Sequence, residues 1–119
     1  MNYKPEIEIS ISNGEIGLRL KCLVDTGCSK TVISDQLVKS IKPDISNNTA
    51  IISTVHGETK SNVYIVYLQF DNHDKTIRTD VGSHYELKGY HIILGMDIIS
   101  EGKLIIDKGV ISFEIDYLK

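Results

Sequence analysis

The run CLVDTGCSKTVIS, Cys22 to Ser34, places a carboxylate at the end of an apolar segment and follows it at once with a glycine. Strands commonly end in polar turn residues. Asp25-Thr26-Gly27 therefore reads either as a plain loop or as an acid held on a rigid platform for proton transfer. Cys28 offers a second chemistry, a thiol nucleophile, which would need a base such as His56 beside it. Nothing in the spacing of the chain indicates that pairing. The four histidines, His56, His73, His84 and His91, are scattered without metal-ligand spacing, so neither a metal nor a cofactor is expected. Asp97, in LGMDII, follows a glycine at the start of an expected helix. Unpaired backbone N–H groups and the helix dipole favour an acid there, and it reads as structural. Asp35, Asp71, Asp74, Asp80, Asp107 and Asp116 fall in turns or on polar faces and read as solvated.

The elements that must position Asp25 are mostly strands, because apolar residues alternate instead of recurring every three or four positions. EIEISIS puts Ile7, Ile9 and Ile11 on one face. Asn13-Gly14 signals a hairpin turn, since both residues tolerate positive φ. The return strand IGLRLKCLV puts Ile16, Leu18, Leu20, Cys22 and Val24 on one face and Leu23 with Asp25 on the other. SDQLVKSIK reads as a short helix with Ser34 as N-cap and Pro43 just beyond its end. Strands at Thr49–Val55 and Ser61–Phe70 flank HGETK, a hairpin with an exposed tip. After the DNHD turn and KTIRTDV, YHIIL is a short buried strand that gives way at Gly95 to the helical turns MDIISEG. KLIID and VISFEID close the chain as a hairpin around Lys108-Gly109.

Bulk properties narrow the function. A chain of 119 residues, 41% hydrophobic and 24% charged, suits one soluble globular domain. A net charge of −3 and the lack of any basic run disfavour nucleic acid as a partner. The N-terminus lacks the apolar stretch of a secretory signal. No apolar run approaches the roughly 18–20 residues of a membrane span. With only two cysteines, Cys22 and Cys28, free thiols and a cytoplasmic location are expected.

The order of parts carries a resemblance. A hairpin, a strand ending in LVDTG, a hairpin with an exposed tip and a strand ending in IILGMD before a short helix together resemble the retropepsin-like aspartic proteases. The likeness runs from about Glu6 to about Phe113 and is nearer to bacterial and cellular members than to retroviral ones. It implies a mainly β fold, a closed β-barrel with one or two short helices and one lobe per chain, with residues 1–119 as one domain. Asp25 would be the catalytic aspartate. Thr26 would hydrogen-bond across a dimer axis beneath it, and Gly27 would allow close approach of backbone and substrate. Leu23, Ser29 and the hairpin-tip residues Val55, His56, Gly57 and Glu58 would contact a peptide substrate, the tip acting as a flap. IILG, ending at Gly95, would support the Asp25 loop from behind.

Peptide hydrolysis without a metal or a covalent nucleophile needs one carboxylate to take a proton from water and another to give one. This chain carries Asp-Thr-Gly once. The resemblance therefore implies a C2 homodimer that supplies the second Asp25. The chain departs from viral members in two ways. Gly57 stands alone in the tip where their flaps are glycine-rich, and Ser29 and Met96 stand where they carry charges. Cys28 follows the motif glycine where relatives often carry Ala or Ser. As a weaker donor to the carboxylate than a hydroxyl, its thiol would give a less acidic activity optimum than a Ser member. The terminal strand VISFEIDYL is a candidate dimer contact. Two other readings compete: a non-catalytic peptide-binding or dimerisation module on the same fold, and a β-rich domain with an accidental Asp-Thr-Gly.

Overall fold

The computed structural model describes residues 5–54, 57–71, 76–85 and 87–115, with side chains undescribed at 47–50, 52–54 and 59. Strand β1 (Glu6–Ser12) pairs antiparallel with β2 (Gly17–Val24), from Glu6↔Leu23 to Ser12↔Gly17. Alternation has the expected result: Ile9, Ile11, Cys22 and Val24 are buried. The stripe outruns the core at its far end, where Leu18 and Ile16 are exposed.

The turn itself differs from expectation. Asn13 and Gly14 do not form a two-residue turn with positive φ at both; only Gly14 takes one, at 103°. The Asn13 side-chain oxygen instead accepts from the N–H groups of Glu15 and Ile16, both at 2.8 Å, which opens the connection to four residues and starts β2 at Gly17.

Beyond β2, the sheet runs through β7 (Ile92–Leu94), β3 (Val32–Ser34), β6 (Ile77–His84) and β5 (Gly57–Gln69). Pairing of β5 back to β1, at Ser10↔Gln69, Ile11↔Leu68 and Ser12↔Tyr67, closes these six strands into a barrel. Strand β4 (Asp44–Thr54) lies outside the ring on β5. The β4–β5 hairpin is longer and tighter than the sequence suggests. Pairing continues to Thr54↔Gly57, so Gly57, Glu58, Thr59 and Lys60 belong to β5 and not to a loose tip. Thr59 is at home in a strand, and Gly57 takes a φ of 106° where the chain reverses. Val55 and His56 lie outside the described residues.

Helix α1 (Asp35–Ile41) starts where expected, with the Ser34 hydroxyl accepting from Leu37 N–H at 3.0 Å. Helix α2 (Met96–Ile99) is a single turn, followed by the hairpin of β8 (Gly102–Asp107) and β9 (Val110–Ile115). Lys108 and Gly109 both take positive φ, 52° and 82°, the geometry that suits the twist of a two-residue hairpin. Phe113 and Ile115 of β9 return to the core, where Phe113 meets Phe70 edge-on at 5.4 Å. The fold is thus mainly β, a closed barrel with two short helices, as expected. Both cysteines are free; burial pushes the Cys22 thiol up to about 12. Among the described residues, no helix is long and apolar enough to cross a membrane.

Candidate active site

Asp25 follows directly on β2, and its backbone is held from two sides. Its N–H donates to Leu94 O at 3.0 Å, extending the parallel β2–β7 pairing, while the preceding Val24 N–H donates to Pro5 O at 2.8 Å. The chain then reverses, with Cys28 N–H donating to Asp25 O at 3.1 Å. Gly27 N–H donates to the Asp25 carboxylate, Oδ1, at 2.9 Å. A side-chain carbon on Gly27 would lie 3.2 Å from that same oxygen, so the glycine lets the carboxylate fold over the turn. Asp25 is half-buried; Thr26, Gly27 and Ser29 are exposed. The acid sits on a rigid turn at the surface.

Behind the turn, α2 grips the loop. Met96 N–H donates to Cys28 O at 2.7 Å and Asp97 N–H to Ser29 O at 3.2 Å. The N-cap is Gly95, which has no side chain to cap with, and Asp97 does more than answer the helix dipole. Its Oδ1 accepts from Thr31 N–H (2.9 Å), Thr31 Oγ1–H (2.7 Å) and Ile98 N–H (3.0 Å). The Thr31 hydroxyl in turn accepts from Gly95 N–H at 3.0 Å, and Lys30 Nζ stands 3.9 Å from Asp97 Oδ2. Thr31, fully buried, is a supporting residue of the Asp25 loop that the sequence does not announce. A threonine between Lys30 and Val32 carries no local sign of a partner 66 residues away.

Asp97 is therefore structural, as expected, but as a bracket for the Asp25 loop. Replacing it with Ala strands two buried donors on Thr31 and should cost about 2 kcal/mol, read by urea denaturation. Asp97→Asn keeps an oxygen acceptor and should recover most of that loss. Equal losses in the two variants would show that Oδ1 is not the bracket.

The register also defines a wall. Leu23 pairs with Ile93, Ile93 with Val32 and Val32 with Gly82. Side chains at paired positions share a face, so Leu23, Ile93 and Val32 stand on the face of Asp25, two residues from Leu23. Val32 and Leu87 form a small apolar cluster of their own, with Cys28, Tyr90 and Ile93 packed against it.

Cys28 departs from expectation. Its thiol donates to Lys30 O at 3.0 Å and not to the Asp25 carboxylate. Burial first, then the charges of Asp25 and Asp97, hold the thiol above its ordinary range, opposite to what a nucleophile needs. A hydroxyl could donate to the same carbonyl. For the cleavage that the resemblance implies, Cys28→Ser should therefore leave the pH optimum unchanged, not lower it; an acid shift in the pH–rate profile would restore the carboxylate contact. His56, the base that a thiol nucleophile would use, lies outside the described residues. Gly57 and Glu58 are exposed at the start of β5, at the end of the β4–β5 hairpin.

A Ser–His contact elsewhere is structural. Ser34 Oγ lies 2.8 Å from His91 Nδ1, but Ser34 is buried and its oxygen caps α1. Asp71, read as solvated, is exposed and forms a two-pronged pair with Arg19, at 2.9 and 3.0 Å. Arg19 holds its carboxyl below the usual range. Among the described residues no three His, Cys, Asp or Glu side chains gather as a metal site.

A closed barrel with an Asp-Thr-Gly turn backed by a short helix is the architecture of a retropepsin-like aspartic protease. Residues 10–101 match the family described as "gag-polyprotein putative aspartyl protease", and the chain belongs to that family. Solved structures share the fold. EIAV protease complexed with the inhibitor HBY-793 aligns at 20% identity and a TM-score of 0.66, over 84% of this chain and 88% of that one. A retropepsin-like aspartic protease from Rickettsia conorii aligns at 21% identity and 0.55, over 89% and 88%. The retroviral protease-like domain of Ddi1 from Leishmania major aligns at 10% identity and 0.58, over 96% and 90%. No curated protein sequence matches.

Proposed function

We propose that this chain, acting as one domain over residues 1–119, is an aspartic endopeptidase that works as a homodimer. The observation that carries the reading is the Asp25 turn: a half-buried carboxylate with Oδ1 held by Gly27 N–H, on an exposed surface, once per chain. One such acid cannot both accept and donate a proton at the same moment. A two-fold axis beside Thr26 supplies the second, and Thr26 links the two turns. Two carboxylates in hydrogen-bond reach share one proton, because like charges that close resist joint ionisation. The ionised partner takes a proton from water as its oxygen attacks the peptide carbonyl. The protonated partner gives its proton to the carbonyl oxygen, forming a tetrahedral diol. As the C–N bond breaks, the first partner passes the proton taken from water to the leaving nitrogen, and a diol hydroxyl returns a proton to the second.

Leu23, Gly27 and Ser29 form the floor for an extended peptide in this scheme. The β4–β5 hairpin, with Val55, His56, Gly57 and Glu58 at its end, is the flap that covers the peptide with strand-like hydrogen bonds. The chemistry draws on no cofactor. Two unpaired cysteines fit a reducing compartment, and the cytoplasm is the proposed location. Incubation with a mixed peptide library from about pH 4 to 7, read by mass spectrometry, tests the activity, since a shared-proton pair works on the acid side of neutrality. Discrete cuts that require intact Asp25 support it. A folded, dimeric protein that cuts nothing would favour a binding module instead.

A further inference from the structure

The wall beside Asp25 ends in a tight turn, residues 87–90, that its own backbone holds poorly. Tyr90 N–H reaches Leu87 O at 3.3 Å, and the two residues between, Lys88 and Gly89, both take positive φ, 51° and 91°. Lys88 is a residue that seldom adopts that region, and nothing lies within 4 Å of where a side-chain carbon on Gly89 would be. The turn projects from the barrel, yet Leu87 and Tyr90 at its two ends pack on Val32, Cys28 and Ile93. A side-chain tie adds to that packing.

That tie is a hydrogen bond from the Tyr90 hydroxyl to Glu6 Oε2, across 84 residues of chain. Glu6 opens β1 and pairs with Leu23, two positions before Asp25. The neighbouring Pro5 carbonyl accepts from Val24. One hydrogen bond thus joins the turn that ends the wall to the strand pair that carries the acid. The Glu6 carboxylate also holds the Tyr90 hydroxyl above its ordinary range, the direction expected of a phenol that donates to a carboxylate.

We propose that Glu6 and Tyr90 form a latch that sets which apolar substrate side chain the wall accepts. Tyr90 is a positioning residue: its ring supports Leu87, Val32 and Ile93, and its hydroxyl fixes where that support stands. With the latch closed, the 87–90 turn holds one position beside Ile93, and the enzyme discriminates between apolar side chains. With it open, the 87–90 turn shifts and discrimination fades. The inference rests on the protease reading above.

The test uses the best-cut library peptide and two versions of it, with Val or Phe beside the scissile bond. The readout is the ratio of kcat/KM for the two. Tyr90→Phe and Glu6→Ala should each move that ratio at least about threefold towards one, through KM, with kcat little changed. Glu6→Gln keeps an acceptor oxygen and should retain the wild-type ratio. The double variant should be no worse than either single one, because both remove the same bond. A ratio unmoved in Tyr90→Phe, or single effects that add, would overturn the latch and leave the protease standing. A wild type that cuts no peptide would overturn both.

Discussion

Asp25→Asn should lower kcat/KM at least about a thousandfold, the loss expected when a proton-transferring group is removed, while leaving fold and dimer intact. The change is nearly isosteric. Its side-chain oxygen can still accept from Gly27 N–H, the bond that holds Asp25 Oδ1 at 2.9 Å, so the turn keeps its shape. What disappears is the ability to hold and release a proton. Circular dichroism and sedimentation should match the wild type, and peptide cleavage should not. Residual activity within tenfold of wild type would place the chemistry elsewhere, because general acid–base groups contribute about a hundredfold or more.

The second large effect is steric. Gly95 has an ordinary extended backbone, φ −98° and ψ 179°, so its need for glycine is not conformational. A side-chain carbon there would lie 2.7 Å from Lys30 C, 2.8 Å from Cys28 O and 2.9 Å from Lys30 O. All three are backbone atoms of the Asp25 loop and cannot rotate aside. Gly95→Ala must push that loop off α2, weakening the bonds from Met96 and Asp97 to Cys28 and Ser29. The expected cost is about 3 kcal/mol, at the upper end for an overpacked methyl group. In a chain of this size that is a Tm lower by about 10 °C, with peptide cleavage falling even well below the new Tm. An unchanged Tm with unchanged activity would mean that the loop tolerates displacement, and the account of its support would be wrong.

The sequence makes local structure legible where a local cause dominates. Ile7, Ile9 and Ile11 alternate because one face of β1 meets the core. Ser34 caps α1 through a bond three residues along the chain, and Lys108-Gly109 supplies two positive-φ residues to a two-residue turn. Asn13 shows the limit of such reasoning. Its side chain offers the backbone an acceptor as readily as its φ offers a turn, and the acceptor role prevails. The tip of the β4–β5 hairpin departs from expectation for a related reason: polar residues such as Glu58 and Lys60 suit a loop, but an exposed hairpin can stay paired through them.

For the site, the Asp25 turn was readable because acid and glycine are neighbours in the chain. The bracket of Thr31 with Asp97 and the latch of Tyr90 with Glu6 were not. They span 66 and 84 residues, and each depends on a register that no local pattern encodes. Cys28 is the same lesson at short range. Its distance from Asp25 along the chain suggested a partner, but the turn of the backbone presents Lys30 O to the thiol instead.

The central claim, two Asp25 carboxylates from two subunits in one site, is tested most directly by mixing subunits. Wild-type protein at fixed concentration would be equilibrated with increasing Asp25→Asn protein and its cleavage rate followed on one peptide. Since each mixed dimer carries a single acid, a ninefold excess of the variant should lower the rate to about a tenth, by random pairing of subunits in a symmetric dimer. A rate that stays constant as the variant is added would contradict the account, for it would mean that each chain catalyses with its own residues alone.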